Sequence, residues 1–160
     1  MTTLEIAPST KTQQVIRTGG FELPCDADTA FPLFSAEGER LWIKEWNPHP
    51  VFPETIEFRR DTVFRQGEGA ESAVWWTVDV DWTRHRAEYV RVAAESHAAH
   101  IIVKVDANGP QRCYVRVDYS VTSLTEQGET LLASFAEDAY ATKMRNWQRQ
   151  IENYLATLGS

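Results

Sequence analysis

The chain has 160 residues, 42% of them hydrophobic and 24% charged, with a net charge of −7, a composition that matches one globular domain with a core of its own. The acidic balance excludes a general nucleic-acid binder, because phosphates select basic faces, and no apolar run nears the roughly 18 residues that signal a membrane span. The opening residues lack the charged and apolar regions of a signal peptide, so the expected compartment is the cytoplasm, without membrane insertion.

Residues 1–12 are polar, contain Pro8, show no periodicity, and read as a loose tail before a single domain at 13–160. Residues 13–23 read as a long strand in which Gly19 and Gly20 mark a bulge or bend. Pro24 ends it, and Asp26 or Asp28 is placed to cap a helix reaching about Ser35, short or kinked because Pro32 removes a helical hydrogen bond. A second short helix is expected after Gly38, through Ile43, closed by the turn Trp46-Asn47-Pro48.

Strands are then expected at 55–59, 62–66, 72–82, 86–93, 98–106 and 111–124. In the third of these, Val74, Trp76, Val78, Val80 and Trp82 share one face, against Trp75, Thr77, Asp79 and Asp81, which are expected outward. In the next, Glu88, Val90 and Val92 oppose Ala87, Tyr89 and Arg91; then Ile101, Val103 and Val105 oppose Ile102 and Lys104. The last strand alternates most cleanly, with Cys113, Val115, Val117, Tyr119 and Val121 on one side. Gln127-Gly128 breaks the chain before residues 130–158, which hold no Gly or Pro and show helical periodicity throughout.

A helix over 130–158 would run about 40 Å and is stable only if its apolar stripe is buried. The sheet is the available cover, and a curved sheet around one long helix leaves space in which a small molecule binds. Leu132, Ala136, Tyr140, Lys143, Trp147, Ile151, Tyr154 and Leu158 share one broad helical face. Tyr140 and Lys143 fall in a pocket half, and Trp147, Ile151 and Tyr154 in an anchoring half. The expected architecture is α+β: a seven-stranded, curved antiparallel sheet around a long C-terminal helix, with two short helices after the first strand.

Four stretches carry a family likeness. They are the opening strand into Leu23-Pro24; Glu39-Arg40-Leu41-Trp42 with Trp46-Asn47-Pro48; Arg86-Ala87-Glu88-Tyr89-Val90-Arg91-Val92; and the run from Thr122 through the helix containing Trp147. In this order they resemble the START-like (SRPBCC, helix-grip) superfamily, the polyketide cyclase/dehydrase and lipid-transport group, over residues 13–158. The resemblance implies a cavity and leaves its chemistry open, since the superfamily includes cyclases, aromatases, dehydratases, lipid carriers, receptors and co-chaperones.

Candidate ligand-binding residues are Trp42, Trp46, Trp76, Val78, Glu88, Val90, Ile101, Val103, Val115, Val117, Tyr119, Ala136, Tyr140 and Lys143. Trp42, Trp46 and Trp76 either stack on a ligand or fill the core. The Lys143 stem either lies on the sheet rim with its amine in water, or the amine enters the cavity and meets a carboxylate. Glu88 is the candidate partner and, with Tyr119, the candidate catalytic group; the alternative is a solvated Glu88 beside Arg84-His85-Arg86. His97 and His100 cannot align both rings on one strand face, so neither a metal nor another cofactor is expected. His97 either touches the cavity rim or lies on the surface. Cys25 and Cys113 are too few for a disulfide framework and lack metal-site spacing.

The reading that follows is a binder of a small hydrophobic or aromatic molecule, monomeric or homodimeric. The alternatives are an enzyme of cyclase, aromatase or dehydratase type using a cavity carboxylate and tyrosine, and a co-chaperone-like interaction module.

Overall fold

Short hairpin connections between alternating segments produce an antiparallel meander, and the computed structural model describes it over residues 13–69 and 72–159. The expected tail at 1–12 lies outside these residues. The strands are β1 (Gln14–Leu23), β2 (His49–Phe52), β3 (Val63–Gln66), β4 (Ala73–Asp81), β5 (Arg86–Ala93), β6 (His97–Ala107) and β7 (Cys113–Ser123). They form one seven-stranded sheet in the order β1-β7-β6-β5-β4-β3-β2, so the first strand joins the last and the order is otherwise sequential. Val115, Val117 and Val121 of β7 and Ile101, Val103 and Val105 of β6 are buried on the inner face.

Asp26 caps α1 (Ala27–Ala30) by accepting from the Thr29 N–H at 2.7 Å, and Pro32 turns the chain into a 3-10 segment, Phe31–Phe34. The second short helix, α2 (Ala36–Glu39), begins before Gly38, capped by Ser35. Gly38 lies within it because a Cβ there would overlap the Pro32 carbonyl oxygen. Trp42 and Trp46 lock this end through their indole N–H groups, which donate to Leu33 O at 2.8 Å and Ala36 O at 2.7 Å.

Residues 55–59 form no strand. β3 pairs instead with His49–Phe52, and the freed segment puts Phe58 against Phe31 at 4.9 Å and Trp82 at 5.1 Å. β1 has no bulge at its glycines: its register with β7 is continuous from Gln14 to Leu23. Gly19 admits the C-terminal helix instead, since a Cβ there would stand 2.9 Å from the Tyr140 ring and 3.1 Å from Met144.

The terminal helix is also interrupted. α3 (Glu126–Leu132) leads into a 3-10 turn, Ala133–Phe135, and α4 (Glu137–Leu158) starts only after Ala136, which is extended at ψ 154°. No Gly or Pro causes this break; packing does. Phe135 is buried against Tyr119, ring to ring at 5.3 Å, and its carbonyl, released from helical bonding, accepts from Arg17 Nε at 2.6 Å. The Ala139 N–H finds the Asp138 carboxylate at 2.9 Å instead. α4 lies across β1, held by fully buried Ile151 and by Tyr140, whose hydroxyl reaches over to donate to Val117 O of β7 at 2.6 Å. Among the described residues, no helix is long and apolar enough to cross a membrane.

Candidate functional site

The break between α3 and α4 lets α3 pack on β7, and a cleft of about 770 Å³ lies between the helices and β4–β5. β4 supplies Ala73 and Trp75, β5 supplies Arg91 and Ala93, and the turn into β6 supplies Ser96 and His97. Leu131, Phe135 and Lys143 close it from the helical side. The volume is that of a small-molecule pocket.

The polar groups of this cleft are held in fixed relation. Arg91 Nε donates to His97 Nε2 at 3.2 Å. A guanidinium only donates, so Nε2 must be the bare nitrogen, and the proton of a neutral imidazole sits on Nδ1, 2.9 Å from Ser96 Oγ. Burial, then the charges of Arg91 and Lys143, press the His97 pKa down to about 4, which keeps it neutral near pH 7. The Arg91 guanidinium lies 5.1 Å from the Trp75 ring centre and 5.9 Å from that of Tyr119.

Lys143 enters the cleft. Its ammonium meets no carboxylate among the described residues; it stands 4.1 Å from the centre of the Phe135 ring and 5.5 Å from that of Tyr119. Such cation–π contacts replace only part of the lost hydration. Burial, helped by the Arg91 charge, accordingly lowers the Lys143 pKa to about 8. Neither Arg91 nor Lys143 forms a salt bridge with a described carboxylate.

Behind Trp75, which borders both spaces, lies a void of about 10 Å³ bounded by Glu39, Tyr89, Tyr119 and Trp147, the scale of one water molecule. The Glu39 main chain is bonded within its helix, but its carboxyl makes no hydrogen bond to another described residue. Burial pushes its carboxyl well above the ordinary carboxylate range, with Arg91 opposing. The Tyr119 phenol is raised by burial, also against Arg91. Among the described residues, no group of three or more His, Cys, Asp or Glu is arranged to hold a metal ion.

The residues singled out from sequence divide sharply. Tyr119, Ile101 and Val103 border the inner void, and Lys143 borders the cleft. Val115 and Val117 are fully buried in the inner face, Ala136 sits at the helix break, and Tyr140 faces β1; none borders the cleft. Trp42 and Trp46 are packing groups, edge-to-face with Trp147 at 5.5 Å and with Trp75 at 5.5 Å.

Trp76, Val78, Glu88 and Val90 are a correction, because none of them points inward. β4 and β5 turn Ala73, Trp75 and Thr77, and Ala87, Tyr89, Arg91 and Ala93, toward the interior. Trp76 pairs with Val90 on the outer face, and a register shift between Thr77 and Asp79 ends the simple alternation near Val78. Glu88 is outside as well, bound to His100 Nε2 at 2.6 Å and Arg86 Nη1 at 3.2 Å, and the His100 hydrogen bond lowers its pKa. The Glu88–Lys143 pair does not exist. Arg91, Trp75, Phe135 and Glu39 went unselected. The available signal was that Arg91 shares phase with Tyr89, the one aromatic residue of β5.

No protein-family model matches the chain, and no curated protein matches its sequence. Solved structures do match its shape. Norcoclaurine synthase from Thalictrum flavum, in complex with dopamine and hydroxybenzaldehyde, superposes with a TM-score of 0.65 at 10% identity, over 98% of this chain and 95% of that one. A START superfamily protein from Mycobacterium smegmatis gives 0.64 at 13%, over 89% and 98%. Ginseng major latex-like protein 151 from Panax ginseng gives 0.64 at 14%, over 88% and 97%. At these identities the likeness establishes the fold alone.

Proposed function

We propose that this chain, which has the START-like helix-grip fold, binds a small apolar or aromatic molecule in the cleft between β4–β5, α3 and the start of α4. The carrying observation is the cleft itself: about 770 Å³, walled by Trp75, Leu131 and Phe135, with a few converging polar groups. That one neighbour of the same fold is described with dopamine and hydroxybenzaldehyde supports an aromatic ligand class. Thermal-shift screening against fatty acids, sterols, flavonoids and aromatic polyketides tests the reading. A ligand at a hundred times its Kd stabilises the folded state by about 2.7 kcal/mol. A true ligand also changes the fluorescence of Trp75, and Trp75→Leu abolishes that change. A panel with no shift at saturating concentrations overturns the reading.

A second reading, an acid–base enzyme of cyclase, aromatase or dehydratase type, has one specific observation in its favour. Glu39, held toward its uncharged form by burial, lies beside Tyr119 at the inner end of the site. Glu39 thus takes the role for which the sequence suggested Glu88. Turnover of a bound molecule that Glu39→Gln abolishes without weakening its binding supports the enzyme; turnover unaffected by that change removes Glu39 from it.

A further inference from the structure

Two cations border one cleft in a protein whose net charge is −7. The positive charge is therefore local to the cleft. Both cations approach the same Tyr119 ring, at 5.9 Å for Arg91 and 5.5 Å for Lys143. Neither forms a salt bridge with a described carboxylate, although the outer surface of the sheet pairs its charges, as Arg86 with Glu88 and Arg116 with Asp118. The other ionisable groups facing the pair do not neutralise it: His97 accepts a hydrogen bond from Arg91, Tyr119 is a phenol, and burial favours the uncharged acid of Glu39. Like charges in a partly dry space cost free energy until an anion joins them.

We propose that the ligand of this cleft is an amphipathic carboxylic acid, its carboxylate held between Arg91 and Lys143 and its apolar body against Trp75, Leu131 and Phe135. The inference rests on the ligand-binding reading above and specifies its chemistry. Arg91 is preorganised for the task, because its bond to His97 and its place over Trp75 hold the guanidinium still. Lys143 brings a second, compact donor from the opposite wall. A carboxylate accepts from both at once, and charge-assisted hydrogen bonds of this kind are the strong ones.

The test compares each acid with a neutral partner of the same shape: 2-naphthoate with 2-naphthalenemethanol, and decanoate with decanol, titrated calorimetrically into the full chain at pH 7. The expected result is that an acid binds about tenfold or more tighter than its alcohol, the size of one charge-assisted hydrogen bond. Lys143→Met lowers the ratio of acid to alcohol affinity severalfold, both ligands being measured on the same variant. Arg91→Lys, which keeps the charge and loses the planar fork, gives an intermediate loss and guards against a misfolded Arg91→Met. Alcohols that bind as tightly as acids overturn the carboxylate proposal and leave the apolar cleft standing. If neither member of either pair binds, the ligand-binding reading fails and this proposal with it. The naphthyl and decyl arms separate an aromatic body from an aliphatic one.

Discussion

Lys143→Met has a consequence that needs no ligand. Burying the ammonium lowers its pKa from 10.5 to about 8, and at about 1.4 kcal/mol per unit the charged form in the folded state is disfavoured by up to roughly 3 kcal/mol. Part of that is screened, because the side chain is only partly buried. Methionine fills a similar volume without a charge, but it forfeits the contact with Phe135, worth about 1–2 kcal/mol. The net expectation is that Lys143→Met stabilises the apo protein by about 1–2 kcal/mol at pH 7. The sign can be checked against pH. The unfolded chain holds the Lys143 proton more tightly than the folded one, so wild-type stability rises between pH about 8 and 10.5 as that proton leaves. The advantage of the variant is therefore full below about 8 and gone above about 10.5. Urea denaturation of both proteins at pH 7 and pH 10.5 measures it. A variant less stable than wild type at pH 7, or a gain that persists unchanged at pH 10.5, refutes the argument that Lys143 is a costly charge kept at the site.

Three further perturbations probe the surroundings. His97 has its pKa lowered from 6.5 to about 4, so it favours the fold above pH 6.5 and stability falls by roughly 2–3 kcal/mol as acid protonates the unfolded chain first; His97→Gln, followed by denaturation from pH 7 to 4, flattens that fall. Gly128→Ala forces a Cβ into the Ser96 carbonyl and is expected to cost more than about 2 kcal/mol, while Gly159→Ala, with nothing within 4 Å, serves as the near-neutral control in thermal melts. Glu88→Gln weakens the outer contacts to His100 and Arg86 for about 0.5–1 kcal/mol of stability, and leaves ligand affinity unchanged; a lost affinity places Glu88 in the site after all.

The sheet could be read from the chain because β6 and β7 alternate without interruption and their apolar sets are buried whole, with Val115, Val117 and Val121 fully covered. Around the cleft the same rule misleads. β4 and β5 carry apolar residues on both faces, and alternation gives the phase of a strand without saying which phase faces inward. The inner face of β5 contains Arg91 because it borders a cleft, while Val74, Trp76 and Val92 remain exposed outside. A rule built on dry cores picks the wrong side of a strand that lines a wet one.

Local chemistry was equally uneven. Asp26, Ser35 and Thr125 cap helices through contacts three residues long, and Pro32 converts α1 into a 3-10 turn; effects of that range are written in neighbouring residues. The single long helix over 130–158 was the natural reading of a stretch without Gly or Pro. It breaks at Ala136 because Phe135 packs on Tyr119 and its carbonyl is taken by Arg17, partners 16 and 118 residues away.

By itself, then, the sequence determined an antiparallel sheet and six of its seven strands, β2 at His49–Phe52 excepted, the short helices after the first strand and a helix that the sheet must cover. These follow from periodicity, proline and capping, which act over a few residues. Only the tertiary structure decided where the helix breaks, which face of β4 and β5 lines the cleft, and that Lys143 meets aromatic rings, within the field of Arg91, instead of Glu88. Those outcomes depend on long-range packing and on the energetics of charges far apart in the chain, and no window of neighbouring residues contains them.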